Sequence, residues 1–126
     1  MQLVKVASVG LNQTPLDWEH NSTNILNVIQ EAKEAGVNVL CCPELCITGY
    51  GCEDMFFSNH TAEKALEVLK QLALATTGMI VAVGLPVFYK ANLYNTACLL
   101  VNGEIAGFVP KQYLANAGVY YEARWF

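Results

Sequence analysis

Two charged residues that could take part in catalysis each follow a proline at the end of a predicted strand. Glu44 comes directly after Pro43, and Lys111 comes directly after Pro110. Because ligands of open α/β sheets bind beyond the carboxyl ends of strands, both side chains could lie near such a site. Glu44 also follows an apolar strand, where partial desolvation suits a carboxyl group for general-base catalysis. Taken alone, each residue is more typical of a solvated charge that opens a surface loop.

The segment that begins with Glu44 is long and irregular. Residues 44–60 contain two glycines that flank Tyr50, the acidic pair Glu53 and Asp54, two cysteines and two phenylalanines. Loops of this length inside a compact domain are uncommon and usually carry function. The sequence therefore predicts that this loop contributes to a site.

Apolar periodicity predicts the elements that position these residues. Strands are predicted at residues 3–9, 37–42, 80–85, 94–101 and 104–109. Asp17 and Thr61 are the expected N-caps of two helices, which end at Gly36 and Gly78. Pro86 is expected to end the third strand, because proline lacks the donor that a strand ladder needs.

The order of these elements predicts an α/β fold. Two strand-helix-strand units imply a parallel sheet, and the dipeptide Asn102-Gly103 between two apolar runs predicts an antiparallel hairpin at one side. The nearly continuous apolar strands indicate that both sheet faces are covered, beginning with the first strand. Two helices cover little more than one face, so we expect the second face to pack against another sheet or another subunit.

Composition excludes several classes of protein. Of the 126 residues, 54% are hydrophobic and only 14% are charged, against about a quarter charged in typical soluble domains. The net charge is -4 and Arg124 is the single arginine, so nucleic-acid binding is not expected. The longest apolar runs are shorter than the roughly 20 residues of a membrane helix. With no signal-peptide pattern at the N-terminus, the predicted location is cytoplasmic.

The cysteines predict neither disulfides nor a metal site. The five residues are Cys41, Cys42, Cys46, Cys52 and Cys98. An odd number without a secretory signal is typical of free thiols. No Cys-x-x-Cys pair occurs, and neither histidine has zinc-ligand spacing. Cys41, Cys42 and Cys98 are expected to be small buried hydrophobic residues.

Two segments carry a resemblance to a known family. Pro43 to Asp54, together with Leu11 to Trp18, resembles the carbon-nitrogen hydrolase, or nitrilase-type, superfamily. Within it, residues 114–116 followed by residues 121–126 resemble the glutamine-hydrolysing domains of glutamine-dependent NAD synthetases. The resemblance implies a four-layer αββα sandwich, of which residues 1–126 form the N-terminal half or so. They would be a partial glutamine amidotransferase domain, with no second domain in this chain.

The resemblance also implies roles for individual residues in a Glu-Lys-Cys triad. Glu44 matches the general base, which takes the thiol proton and later delivers it to the leaving ammonia, and Lys111 matches the lysine that stabilises the oxyanion. Tyr50 matches a tyrosine near the glutamine pocket, and Glu122 a supporting glutamate beside the lysine. As residues alone, Tyr50 could equally plug its loop onto the core, and Glu122 could be an exposed carboxylate. No cysteine follows Cys98, so the nucleophile is expected beyond this chain.

The same resemblance implies partners. Glutamine would be the amide substrate, and its ammonia would pass to a synthetase domain that uses ATP and Mg²⁺ to amidate deamido-NAD. No cofactor is expected in this chain, a homo-oligomer is expected, and the 126-residue chain alone is expected to be inactive. The alternatives are a non-catalytic interaction or regulatory module of the same fold and another amidase or nitrilase. A generic nucleotide-binding domain is disfavoured, because residues 10–15 hold one glycine and no phosphate loop occurs.

Overall fold

The computed structural model describes residue 1 and residues 3–126. These residues form five strands and two α-helices. The strands are β1 (Val6–Ser8), β2 (Val39–Cys41), β3 (Ile80–Tyr89), β4 (Asn92–Val101) and β5 (Glu104–Pro110). The α-helices are α1 (Trp18–Glu34) and α2 (Asn59–Ala73), and short 3₁₀ helices span Glu53–Phe57, Leu74–Thr76 and Glu122–Arg124. Among these residues, no helix is both long and apolar enough to cross a membrane.

The strands form one sheet in the order β1-β2-β3-β4-β5. The pairings of β1 with β2 and of β2 with β3 are parallel, and the other two are antiparallel. Asn102 and Gly103 join β4 to β5 with φ angles of 50° and 89°, the left-handed pair that a tight hairpin turn requires. The predicted mixed α/β sheet and its hairpin are confirmed.

Helix α1 begins where the sequence predicts. The Asp17 side chain accepts a hydrogen bond from the backbone N–H of His20 at 3.1 Å and so caps the first turn. The buried face carries Ile25, Ile29 and other side chains, and Gly36 follows the helix with a φ of 69°. The predicted cap and stop are confirmed.

The beginning of α2 differs from the prediction. The helix starts at Asn59 after Ser58, so Thr61 lies inside its first turn and does not cap it. The Thr61 hydroxyl instead donates to the Met55 carbonyl at 2.8 Å. The 3₁₀ helix Glu53–Phe57, which lies in the segment predicted to be irregular, brings that carbonyl within reach.

The prediction that Pro86 ends the third strand is wrong, because β3 continues to Tyr89. In β3 the N–H of Ile80 donates to Asn38 and the carbonyl of Gly84 accepts from Ile47, so these backbone groups point toward the β2 side. Because the direction alternates along a strand, the backbone of Pro86 points to the same side as that of Ile80 and Gly84. Strand β2, however, pairs only with residues 80–82. The missing N–H of Pro86 therefore faces an edge without a strand neighbour, where proline is tolerated.

The two α-helices cover one face of the sheet. The core beneath them contains these residues: Ile25, Ile29, Leu69, Leu72, Val81, Val83, Cys98 and Leu100. On the opposite face, Val6, Ile80, Leu99 and Val109 are 70%, 37%, 39% and 58% exposed. The prediction that the first strand is buried on both faces is wrong for this structure, because Val6 of β1 lies on the exposed face. That the open face packs against another sheet or subunit stays a prediction.

Candidate active site

The end of β2 and the end of β5 lie at the same edge of the sheet. Strand β5 is antiparallel to β4, which is antiparallel to β3, so β5 runs in the direction of β2 and β3. The chain therefore leaves the sheet at the same edge after Pro43 and after Pro110. The residues that follow them, Glu44 and Lys111, meet there.

One ammonium group joins two carboxylates at this edge. The Nζ atom of Lys111 donates to Oε1 of Glu44 at 2.8 Å and to the two oxygens of Glu122 at 3.1 and 3.0 Å. The side chains of Glu44 and Lys111 are 39% and 31% exposed, whereas that of Glu122 is 1% exposed. The apolar strand before Glu44 therefore does not bury its carboxylate, contrary to expectation, and the group faces an open cleft.

Glu122 is a buried anion rather than the exposed carboxylate that its sequence context allowed. Tyr50 Oη donates to its Oε1 at 2.6 Å, and the backbone N–H of Ala115 donates to its Oε2 at 2.8 Å. Burial acts to raise the pKa of Glu122, but the hydrogen bonds from Tyr50, Ala115 and Lys111 outweigh it and lower the pKa. Glu122 is therefore ionised at neutral pH.

The two carboxylates keep Lys111 positively charged. Burial acts to lower the pKa of Lys111, but its hydrogen bonds to Glu44 and Glu122 outweigh burial and raise the pKa. A lysine held in this state cannot serve as a base at neutral pH. It can stabilise a negative charge that develops beside it.

Tyr50 contacts Glu122 and an aromatic neighbour instead of plugging its loop onto the core. Its ring packs edge-on against Tyr120 with a centroid distance of 6.0 Å. Burial, together with the adjacent Glu122, raises the pKa of Tyr50, so its hydroxyl remains a donor. These rings line an open cleft of about 420 Å³ with Glu44, Lys111 and Glu122. The sequence offered no spacing that singled out Tyr120.

Asn95 in β4 also belongs to the site, and the sequence analysis missed it. Its Nδ2 donates to Oε1 of Glu44 at 2.6 Å, and its side chain is only 3% exposed. The available signal was an amide residue within a predicted strand that is otherwise largely apolar. The structure thus brings together Glu44, Lys111, Tyr50 and Glu122, which the sequence singled out, and adds Asn95.

The absence of a side chain at Gly84 allows the Glu44 turn to lie against β3. A Cβ atom at Gly84 would overlap the backbone nitrogen of Leu45 and lie 2.9 Å from the carbonyl oxygen of Pro43. Leu45 itself has a φ of 49°, so the turn has little freedom to move away. The glycine therefore helps to fix where Glu44 begins its loop.

We expect Gly84→Ala to destabilise the protein by about 1–3 kcal/mol, the usual cost of overpacking. The added methyl group must push back the turn that carries Glu44. Gly107→Ala in β5 is the matched control, because a Cβ atom there meets nothing within 4 Å. Urea denaturation of the two variants checks the prediction. Equal stability of both variants would contradict it.

A second ion pair ties the segment of Glu122 to the loop after Glu44. Arg124 donates to the two carboxylate oxygens of Asp54 at 2.7 and 2.8 Å, and Trp125 Nε1 donates at 3.1 Å. The hydrogen bonds from Arg124 and Trp125 lower the pKa of Asp54 to about 2. The pair is exposed, so its energy is modest, but its two-pronged geometry fixes the orientation of the segment.

The five thiols lie outside this hydrogen-bond network. Within the part of the chain that the structure describes, none of them hydrogen-bonds to Glu44 or Lys111. Cys42 and Cys98 are buried as predicted, and burial raises the pKa of Cys98 to about 11. The prediction that Cys41 is buried is wrong, because it lies exposed in β2. The described residues also contain no group of three or more metal-ligating side chains.

Comparisons with known proteins identify the family of this chain. The family model Carbon-nitrogen hydrolase matches residues 5–126. The glutamine-dependent NAD(+) synthetase of Arabidopsis thaliana is 45% identical over an alignment of 128 positions, which covers 100% of this chain and 18% of that protein. The Saccharomyces cerevisiae protein of that name is 42% identical over 98% of this chain and 18% of its own length. The chain thus spans less than a fifth of these relatives.

Solved structures share the fold. The crystal structure of a glutamine-dependent NAD(+) synthetase from Cytophaga hutchinsonii has a TM-score of 0.96 and 50% identity, over 98% of this chain and 21% of that one. An amidase from Nesterenkonia sp. has a TM-score of 0.77 and 24% identity, over 90% of this chain and 44% of that one. At the lower identity, the likeness concerns the fold alone.

Proposed function

This chain belongs to the carbon-nitrogen hydrolase family, and we propose that it forms the N-terminal part of the glutamine-hydrolysing domain of a glutamine-dependent NAD synthetase. The observation that carries the proposal is the contact between Lys111 Nζ and Glu44 Oε1 at 2.8 Å. It joins a proton carrier to a fixed positive charge in one open cleft. Amide hydrolysis needs both groups, together with a nucleophile.

In the proposed reaction, Glu44 accepts the proton of a cysteine thiol as its sulfur attacks the amide carbon of glutamine. Lys111 stabilises the resulting oxyanion. The carbon-nitrogen bond then breaks, and Glu44 returns the proton to the departing nitrogen, which leaves as ammonia. Glu44 then removes a proton from a water molecule, whose oxygen attacks the thioester carbon; the carbon-sulfur bond breaks, Glu44 returns the proton to the cysteine sulfur, and glutamate is released. Tyr50 and Glu122 act beside the substrate, since both line the cleft and Glu122 holds Lys111 charged.

The nucleophile comes from a part of the protein beyond this chain. None of the five thiols hydrogen-bonds to Glu44 or Lys111 among the described residues. Burial also raises the pKa of Cys52 and of Cys98, which disfavours the reactive thiolate. We therefore expect the 126-residue chain alone to hydrolyse no glutamine.

The open face of the sheet supports the rest of the proposal. Apolar side chains such as Val6 and Val109 would be covered by the second half of an αββα sandwich, in which residues 1–126 form one part of a single domain. A synthetase domain would follow and use the released ammonia. We also propose a homo-oligomer in the cytoplasm, the assembly and location expected from the sequence.

Expression of the longest reading frame that contains this chain tests the proposal. We expect it to release ammonia from glutamine and, with ATP and Mg²⁺, to convert deamido-NAD to NAD. The isolated 126 residues serve as the comparison and should release no ammonia. Hydrolysis of other amides or nitriles but not glutamine would instead indicate another amidase. A folded full-length protein without any hydrolase activity would indicate a non-catalytic module.

A further inference from the structure

We propose that Asn95 is a positioning residue that holds both Glu44 and Lys111 in their working geometry. The inference rests on the proposed function and extends it to a strand that precedes Lys111 in the chain. Asn95 touches Glu44 through its side chain, where Nδ2 donates to Oε1 at 2.6 Å. It touches Lys111 through its backbone, where its carbonyl accepts the Lys111 N–H at 2.8 Å.

The two contacts of Asn95 span the junction of the two loops. Glu44 and Lys111 are 67 positions apart in the chain and leave different strands. Glu44 and Lys111 lie in separate turns, and Asn95 forms a hydrogen bond with each of them. Because Asn95 lies within β4, opposite Pro86 of β3, its backbone is fixed by the sheet. A shared anchor on a regular element holds a pair more precisely than two independent loops do.

Asn95 also determines which oxygen of Glu44 can carry a proton. Its amide and the Lys111 ammonium both donate to Oε1, and Glu44 accepts no other hydrogen bond from the described residues. Oε2 is therefore the oxygen left for proton transfer. The two hydrogen bonds to Oε1 restrict rotation of the Glu44 carboxylate. Oε2 is therefore held in one orientation, toward the cleft.

The placement of Asn95 on the sheet supports a role at the site. It shares the open face with Ala97 and Leu99, which are exposed, yet its own exposure is 3%. An amide buried at this position pays a desolvation cost that the contact with Glu44 offsets. The hydroxyl of Thr96, the next residue, donates to the Leu85 carbonyl, and the side chain makes no hydrogen bond to Glu44 or Lys111 among the described residues.

The test compares Asn95→Leu with the matched control Thr96→Val in the full-length protein. Both changes replace a buried polar side chain of β4 with an apolar one of similar size. We expect Asn95→Leu to lower kcat for glutamine hydrolysis by about 10- to 100-fold, the scale of a misplaced catalytic group, with KM changed by less than about threefold. Thr96→Val should leave kcat within about twofold of the wild type, even if it lowers Tm.

Asn95→Asp is the second variant, because it keeps the size of the side chain and replaces the donating amide with an oxygen. We expect it to lower kcat at least as much as Asn95→Leu, since a carboxylate cannot donate to Oε1 and repels Glu44. It also tests the proposal if Asn95→Leu fails to fold. A folded variant of either kind with kcat within twofold of the wild type, or a loss shared equally by Thr96→Val, overturns the proposal.

A crystallographic readout separates this inference from the proposed function. In crystals of the wild type and of Asn95→Asp grown under one condition, we expect Glu44 Oε1 to contact Asn95 in the former and the carboxylate to turn away in the latter. If the wild type hydrolyses no glutamine, the proposed function fails and this comparison still tests Asn95. An unmoved Glu44 overturns the positioning role whatever the substrate.

Discussion

Glu44→Gln in the full-length protein is expected to lower kcat for glutamine hydrolysis by about 10²- to 10⁴-fold, the usual contribution of a general acid-base group. The variant amide can still accept hydrogen bonds from Lys111 and Asn95 through its oxygen. It cannot take up the thiol proton or return one to ammonia. Because the size and the contacts are kept, we expect Tm to stay close to that of the wild type. Steady-state ammonia release measures the loss.

Glu67→Gln is the matched control for this substitution. Glu67 on α2 also forms an ion pair with a lysine, Lys64, but its side chain is 62% exposed and lies away from the cleft. We expect it to keep full activity. If Glu44→Gln retained kcat within tenfold of the wild type, Glu44 would not be the proton carrier.

Lys111→Met has the second large expected effect, because it removes a positive charge that serves both catalysis and the stability of the fold. Without its cation, the carboxylate of Glu122 remains buried and keeps only the donors of Tyr50 and Ala115, which we expect to cost about 1–3 kcal/mol. Lys64→Met, which breaks an exposed pair, should change the stability much less, because solvent screens that pair. Glutamine hydrolysis should fall below detection, because the oxyanion loses its positive partner. Urea denaturation and the ammonia assay measure the two losses.

The pH dependence of that destabilisation identifies Glu122 as its cause. In the wild type the pKa of Glu122 is lowered, so its charge stabilises the fold above the pKa of the unfolded chain and loses that effect as the pH falls through the folded pKa. In Lys111→Met the buried charge of Glu122 destabilises the fold, and protonation of Glu122 removes that charge. The deficit relative to wild type should therefore shrink as the pH falls from 7 to 5. The double variant Lys111→Met with Glu122→Gln should regain stability at pH 7 but no activity. A pH-independent deficit would contradict this account.

Local signals predicted the elements that local chemistry determines. Asp17 caps α1 and the Asn102-Gly103 turn joins β4 to β5, because each depends on residues within a few positions. Pro86 was misjudged because proline is tolerated where no strand lies beside it. The length of β2 decides that, and β2 lies more than 40 positions earlier in the chain.

The candidate site was predictable in its charges but not in its burial. Glu44 and Lys111 stand out after their prolines, whereas nothing near Glu122 in sequence shows that it is buried. Its environment depends on Tyr50, which is 72 positions away, and on the long-range pair of Asp54 and Arg124. Asn95 was missed for a related reason. An asparagine in a strand can be identified as part of a site only when the tertiary fold places a carboxylate beside its amide.

The order of the sheet has a consequence for how the protein is made. Every strand pairs with the strand that precedes or follows it in the chain. As the polypeptide leaves the ribosome, each new strand therefore meets a partner that has already been synthesised, and the sheet can grow in chain order. The helices can cover their face during this growth, while Val6, Leu99 and Val109 still face water. At this stage the nascent chain presents an apolar sheet face to its surroundings, which favours aggregation.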